Sequence, residues 1–301
     1  MKKLLLLTSV AALTVLAVGC KKDEPTGTGT TNGGTAGVTV EKTQRGFIGY
    51  VGATWCPPCG SYGGPAFKEM MKKFTTDQTS FLYYAPSGET GSHIYNTTSG
   101  KIETAPFAND LYTALKSKGS IPFFNVNGVN VGGAYTDPVY TANTYGAFIT
   151  SINGQTPKLG VGANKTLTAN KLSCDVKVQL FEEMTGDLYY SVLAVENEVT
   201  GIQKLSDGST NNSYLHKHVT RASLVGDGTP TGQKAFELMA SGTTAANKEF
   251  TKTFSFDYAT YDKGTAAVIP WVYTPANTEI IVSIWTKNGA DWVYINSVVA
   301  K

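Results

Sequence analysis

The sequence predicts an α/β domain over residues 39–155 followed by an all-β sandwich over residues 156–301, both behind an export leader and a polar tether. Three observations carry this. An apolar, glycine-containing run from Phe47 to Ala53 leads straight into Thr54-Trp55-Cys56-Pro57-Pro58-Cys59 and then into residues of helical spacing. Beyond Gln155-Thr156-Pro157 the spacing becomes alternating, as in Asp175-Val176-Lys177-Val178-Gln179-Leu180. At the start, Lys2 and Lys3 precede an uncharged run from Leu4 to Val18 that ends in small residues, the layout of a secretory signal.

That first run is shorter than the about 20 apolar residues a membrane-spanning helix needs, so residues 1–19 read as a signal peptide. It stops at Ala17-Val18-Gly19-Cys20, which resembles the lipobox of bacterial lipoproteins. The resemblance implies cleavage before Cys20 and a lipid-bearing cysteine. Such a cysteine anchors the protein without spanning the bilayer, each buried acyl methylene contributing about 0.8 kcal/mol. Residues 20–38 follow as a tether: KKDEPTGTGTTNGGTAGV, at 21–38, has too little apolar surface to fold and a reach on the order of 25 Å. Lys22 stands where an inner-membrane retention signal would have Asp, and Lys22-Asp23-Glu24 is similar to the surface-export tags of Bacteroidetes lipoproteins. The expected location is therefore the outer membrane, on its periplasmic or cell-surface face.

About 260 residues remain beyond the tether, enough for two ordinary domains. The net charge is only +2, with basic and acidic residues intermingled, which leaves nucleic-acid binding without an electrostatic footing. Of four cysteines, Cys20 is assigned to lipid, leaving Cys56, Cys59 and Cys174.

Within residues 39–155, Phe47–Ala53 reads as a buried strand, and Ala66, Phe67, Met70, Met71 and Phe74 recur at helical spacing among Lys68, Glu69, Lys72 and Lys73. A strand at 80–85, a helix at 106–118, a strand from Ile121 to an Asn127-Gly128 turn and a helix at 138–153 complete the pattern. The Cys-Pro-Pro-Cys segment thus sits at a strand-to-helix turn. A thiolate is the form that attacks a disulfide, and a helix N-terminus stabilises its charge, so the Cys56 pKa is expected below the ordinary value of about 8.5. Cys59 follows one turn later, within reach for a disulfide. Pro57 suits a helix start, where no N–H is required, and Pro58 stiffens the turn. A bare CxxC also fits half a zinc site, a static structural disulfide or two unrelated thiols. No second CxxC is present, and export favours an oxidised pair.

This order of elements resembles the thioredoxin superfamily, and the Trp-Cys-Pro-Pro-Cys form is most similar to extracytoplasmic thiol-disulfide proteins of cytochrome maturation. The resemblance implies that Trp55 is the flanking aromatic, Cys56 the attacking cysteine and Cys59 the resolving one. Pro122, after Ile121, matches the superfamily's cis-proline, which lies against the disulfide and orients an extended substrate. Trp55, Pro57, Pro58, Ile121 and Pro122 are accordingly the expected substrate-contacting residues. Two positions depart from the pattern. Tyr50 stands six residues before Cys56, where thioredoxins carry a buried Asp as proton acceptor, and Gly60 replaces a commonly basic residue. With a pKa near 10, Tyr is a poor relay. Either Glu69 or Glu89 serves instead, Glu69 reading better as a solvated helix residue, or the pair cycles slowly.

In residues 156–301, strands are expected at 158–163, 171–181, 188–198, 215–224, 249–256, 279–287 and 291–299, with Gly, Asn and Asp turns and no helix of note. This spacing suggests an immunoglobulin-like or fibronectin-like sandwich. A thioredoxin-like domain followed by such a sandwich behind a lipobox resembles the 28-kilodalton outer membrane protein family of Bacteroidetes. Tyr214-Leu215-His216-Lys217-His218-Val219-Thr220-Arg221 is similar to a His-x-His-Val-x-Arg segment of that family, which has no settled activity to lend. His216 and His218, two apart on a strand, face one side. They read as hydrogen-bonding residues near a sheet or domain boundary in preference to metal ligands; Arg221 is a candidate bridge between domains, and Cys174 reads as a buried free thiol. No metal and no cofactor are expected.

The function expected from the sequence is an outer-membrane lipoprotein acting as a thiol-disulfide oxidoreductase on dithiols or disulfides of exported proteins in the envelope. The alternative is a binding protein that uses a thioredoxin-like scaffold with a structural disulfide.

Overall fold

The computed structural model describes residues 37–76, 78–84, 93–96, 101–104, 107–115, 120–229, 232–257 and 275–301. The expected signal peptide, Cys20, Glu89 and all but the last two residues of the expected tether lie outside them. Val38, at the tether's end, is already part of the fold: it is buried, and a Cβ on Gly162 would meet it.

The first half contains β1 (Gly46–Val51), a π-helical turn (Cys59–Gly63), α1 (Gly64–Lys73), β2 (Thr79–Tyr84), the hairpin β3 (His93–Asn96) and β4 (Lys101–Thr104), α2 (Ala108–Ala114), β5 (Phe123–Val126), β6 (Val129–Gly133) and α3 (Pro138–Asn153). β2 pairs parallel to β1, β5 antiparallel to it, and β6 antiparallel to β5. The β5–β6 loop is Asn127-Gly128, both at positive φ, as a two-residue hairpin with right-handed strand twist requires. α3 begins where the chemistry favours it: Asp137 accepts hydrogen bonds from the amides of Val139 and Tyr140, and Pro138 occupies the first turn.

The second half contains β7 (Leu159–Leu167), β8 (Lys171–Leu180), β9 (Met184–Thr185), β10 (Leu188–Lys204), β11 (Thr210–Ser223), β12 (Glu237–Ala240), β13 (Thr243–Thr244), β14 (Glu249–Asp257), β15 (Thr278–Asn288) and β16 (Asp291–Val299). Along β8 burial alternates strictly, its inward side chains Leu172, Cys174, Val176, Val178 and Leu180 packing in one core with those of β7, β10, β14 and β15. β14, β8 and β7 form a three-stranded sheet whose inner face closes that core.

The molecule is thus a sheet-rich α/β protein with few helices, and its first half has the thioredoxin-like arrangement. The boundary drawn at 155/156 marks a change of local pattern, yet one sheet crosses it. β16, β15, β10, β11, β2, β1, β5 and β6 follow one another in hydrogen-bonded order, β11 meeting β2 in parallel at Val219 and Tyr83. Residues 33–301 cluster as one compact unit. β10 and β11 also run further than expected, through 204 and from 210. Val199, Gly201 and Gln203 point inward on this extension, which lies against the first half, whereas Thr200, Ile202 and Lys204 face outward, so no polar/apolar alternation marks the strand in the sequence.

A single buried amide ties the halves further. Asn296 accepts from the amides of Arg45 (3.0 Å) and Ser297 (2.9 Å) and donates to the carbonyls of Thr43 (3.0 Å) and Leu159 (2.9 Å). Replacing it by Ala strands buried donors on both sides of the boundary. Asn296→Ala is expected to cost about 2–4 kcal/mol in urea unfolding. The parent should unfold in one cooperative transition by tryptophan fluorescence and circular dichroism; two separated transitions would show that the halves unfold independently.

Candidate functional site

β1 delivers the chain to the cysteine pair. Cys56 N–H donates to the Ala53 carbonyl at 3.2 Å, closing the turn, and the amides of Cys59 (3.1 Å) and Gly60 (3.4 Å) donate to the Cys56 carbonyl as the helical segment begins. Cys56 and Cys59 are disulfide-bonded with their Cα atoms 5.3 Å apart. The Cys59 amide points at Cys56 Sγ from 3.2 Å, an arrangement that stabilises negative charge on that sulfur once the bond is opened. Cys56 is 3% exposed and Cys59 1%, while Trp55 beside them is 51% exposed. Pro57 and Pro58 are half-buried in the first turn.

The Ile121–Pro122 peptide is cis, and the Ile121 carbonyl oxygen lies 3.7 Å from Cys56 Sγ. Pro122 is buried against the π-helical turn: a Cβ on Gly63 would sit 2.5 Å from it. Ile121 packs on the small cluster of Ala53, Cys56 and Cys59. The structure therefore gathers all of Trp55, Cys56, Pro57, Pro58, Cys59, Ile121 and Pro122 around one disulfide.

Tyr50 has a different task from the acid it stands in for. Its ring stacks between Phe67 (5.3 Å) and Phe124 (5.1 Å), and its hydroxyl donates to the Cys59 carbonyl at 3.3 Å. Glu69 pairs with Lys72 at 2.6 Å along the surface of α1, the solvated role expected of it.

Behind the pair, side chains from the second half complete the site. Gln203, 2% exposed, donates its side-chain amide to the carbonyls of Ala53 (3.2 Å), Thr54 (3.2 Å) and Cys56 (3.0 Å). A cavity of about 10 Å³, the room of a single water, is lined by Tyr50, Cys59, Lys68, Gln203, Tyr214 and His216 among others. Lys68 lies over the Tyr214 ring at 4.1 Å, and burial raises the Tyr214 hydroxyl to about 12. Nothing in the sequence singles out Gln203, and Tyr214 enters only as the residue that opens the His216/His218 segment; Gly60 is the one trace of their approach.

His216 and His218 are both buried on β11 but face different neighbours. His216 Nε2 is 3.3 Å from the Ile202 carbonyl and its ring is 4.8 Å from that of Tyr214. His218 lies against Phe81, with Nδ1 3.7 Å from Glu279. Among the described residues no group of three or more His, Cys, Asp or Glu side chains is placed to hold a metal. Arg221 pairs with Glu196 on β10 at 3.3 Å, both buried. Cys174 is free and wholly buried, its thiol pushed far up by desolvation and by Asp175.

No protein-family profile matches the chain, and no curated protein matches it. Among solved structures, HBP35 of Porphyromonas gingivalis is similar with a TM-score of 0.57 at 14% identity, over 86% of this chain and 75% of that one. At that identity the likeness concerns fold alone. A protein from Archaeoglobus fulgidus (TM-score 0.22, 11% identity, 46% of this chain and 89% of that one) superposes too poorly to bear on this chain. So does a β-glucosidase from Kluyveromyces marxianus (TM-score 0.22, 11% identity, 57% of this chain and 18% of that one).

Burial pushes His216 down to about 4, the hydrogen bond to Ile202 opposing and Lys68 assisting; burial and then Lys217 push His218 down to about 4. Unfolded, each titrates near 6.5. Between about 6.5 and about 4 the unfolded chain binds more protons, so stability must fall as the pH falls through that window. Burial raises Glu279, which faces His218, and this offsets part of the loss at the acid end. The expected loss from pH 7 to pH 4 is about 3 kcal/mol per histidine at most, read by urea unfolding. A His216→Asn, His218→Asn double variant should flatten the slope between pH 6.5 and 4.5.

Proposed function

We propose that the chain is an exported, lipid-anchored thiol-disulfide oxidoreductase of the outer membrane that exchanges disulfides with other exported proteins. The observation that carries this reading is the Cys56 sulfur facing the Cys59 amide at 3.2 Å on one side and the Ile121 carbonyl at 3.7 Å on the other, at the start of a helical segment. In the reduced enzyme the Cys56 thiolate attacks one sulfur of a target disulfide, whose other sulfur leaves as a thiolate and takes a proton from water. Cys59, on losing its proton, then attacks Cys56 Sγ. The Cys56–Cys59 bond re-forms and the target leaves with both sulfurs reduced, two electrons having passed to it. Pro122 and Trp55 border the path by which a target chain reaches Cys56.

Anchoring through Cys20, export and outer-membrane location rest on the leader and its lipobox. No helix among the described residues is long and apolar enough to cross a membrane, which is compatible with a lipid-anchored domain. Kinship with the 28-kilodalton outer membrane protein family of Bacteroidetes belongs to the same proposal, supported by the WCPPC and His-x-His-Val-x-Arg segments. An immunoglobulin-like class for residues 156–301 is supported by the packing of the β14-β8-β7 sheet on β10 and β15.

A second reading has its own observation. Cys56 is only 3% exposed, which suits a structural staple in an envelope binding protein. Trapping separates the two. A Cys59→Ser variant expressed in the native envelope should accumulate mixed disulfides through Cys56, visible as dithiothreitol-sensitive bands on non-reducing gels, and a Cys56→Ser variant should not. A Cys59→Ser protein that captures nothing, beside a parent disulfide that resists millimolar dithiothreitol in the folded state, would favour the staple.

A further inference from the structure

Gly60 and Gly64 form a notch on the helical segment that follows the disulfide, and the β10–β11 hairpin lies in it. A Cβ on Gly60 would run into the Lys204 carbonyl and come within 2.6 Å of Gln203 Cγ and 2.8 Å of Leu205; a Cβ on Gly64 would collide with the Tyr214 hydroxyl. The glycine that breaks the usual pattern at position 60 is therefore what admits the second half of the chain to the redox turn.

Once in the notch, the hairpin grips the turn. The Gln203 side-chain amide has two protons and lies among four carbonyl oxygens, those of Ala53, Thr54 and Cys56 and that of Lys204 at 3.1 Å. The Lys204 amide donates to the Thr54 carbonyl at 2.8 Å, and at the hairpin tip the Ser206 amide donates to Ser61 Oγ at 2.7 Å. Residues 53–56 are thus held from β10 and not only by their own helix.

We propose that Gln203 is a positioning residue of the disulfide site: by holding the Ala53, Thr54 and Cys56 carbonyls it immobilises the turn and sets how fast a thiol reaches Cys56. This rests on the redox reading above and adds regulation to it, the hairpin being a restraint that a partner must loosen. Attack on a disulfide requires the incoming thiolate to approach along the S–S axis, and the 3% exposure of Cys56 means the turn has to move first. A buried amide group meeting several carbonyls opposes that movement, because its two N–H donors would lose their acceptors away from water.

The test is the rate at which dithiothreitol reduces the full chain. One dithiothreitol thiolate attacks Cys56 Sγ and Cys59 leaves as a thiolate that takes a proton from water. The second dithiothreitol thiol then closes its own ring and releases Cys56, two electrons passing from dithiothreitol to the pair. Gln203→Met keeps the bulk and removes the donors; Gln203→Ala removes both. Both should be reduced about tenfold faster than the parent at unchanged pH. Ser61→Ala, at an exposed contact, should quicken reduction by about twofold or more. Rates for Gln203→Met and Ser61→Ala within the error of the parent overturn the proposal. A fast Gln203→Ala beside a parent-like Gln203→Met overturns it too, because packing and not donation would then be responsible. Should both Gln203 variants fail to fold, Ser61→Ala decides alone, a faster rate supporting and an unchanged one refuting. Partner trapping by Cys59→Ser is scored separately. If it fails while these rates change, the oxidoreductase reading falls and Gln203 is left as a restraint on a structural disulfide; trapping with unchanged rates leaves the oxidoreductase reading without the restraint.

Discussion

The whole structure depends on burying both faces of β1. Its six residues are all inaccessible to solvent, and alternation sends Phe47 and Val51 to one side and Ile48 and Tyr50 to the other. Ile48 and Tyr50 meet α1 and α3, as in any α/β layer arrangement. On the opposite face α2 is short, and the space beside it is filled from the second half: Phe47 packs edge-on to Trp285 (5.3 Å) and stacks on Tyr294 (5.4 Å). Aromatic rings of this size contribute more to a core than any other side chains, so the strand that ends at the cysteines is as much a part of the C-terminal core as of its own.

That shared core explains why one sheet runs through the molecule. A parallel strand such as β2 exposes an unpaired edge unless something covers it. β11 does so, and polar contacts cross the seam: Ser80 and Ser297 hydroxyls meet at 2.8 Å, Tyr294 donates to the Arg45 carbonyl at 2.8 Å, and Asn296 spans four backbone groups. The consequence for the site is direct. With β10 and β11 fixed beside β2, their extension passes behind the disulfide, bringing Gln203, Tyr214 and His216 to a place that α/β elements alone would leave to solvent.

The substitution of Tyr50 for a buried acid belongs to the same arrangement. Where a carboxylate would need a solvated or charged partner, the phenol ring joins an aromatic stack and its hydroxyl meets the Cys59 carbonyl, whose partner at the π-helical turn is the Gly64 amide. The site exchanges an ionisable relay for a rigid floor. The nearest donor to Cys56 Sγ is then a backbone amide, that of Cys59.

Local signals were enough for most of the longer elements of both halves, among them the helix from 138 to 153, the Asn127-Gly128 hairpin and the Trp55-Cys56-Cys59 turn, each of which follows from residue chemistry within a few positions: period, capping, turn preference, the spacing of two thiols. Pro122 beside that turn was implied only by the resemblance to the thioredoxin superfamily, and the β3–β4 hairpin and the extensions of β10 and β11 were not foreseen. The joining of the halves did not follow, because it is made by pairs such as Phe47 with Trp285 and Gln203 with Cys56, far apart in the chain and each unremarked in its own neighbourhood. β10 beyond Glu198 reads as polar because only every second residue faces inward and one of those is a glutamine, satisfied by carbonyls that folding alone supplies. The sequence by itself determined the disulfide turn; the tertiary structure decided that the second half holds it, since pairing of β11 with β2 carries the hairpin across to that turn.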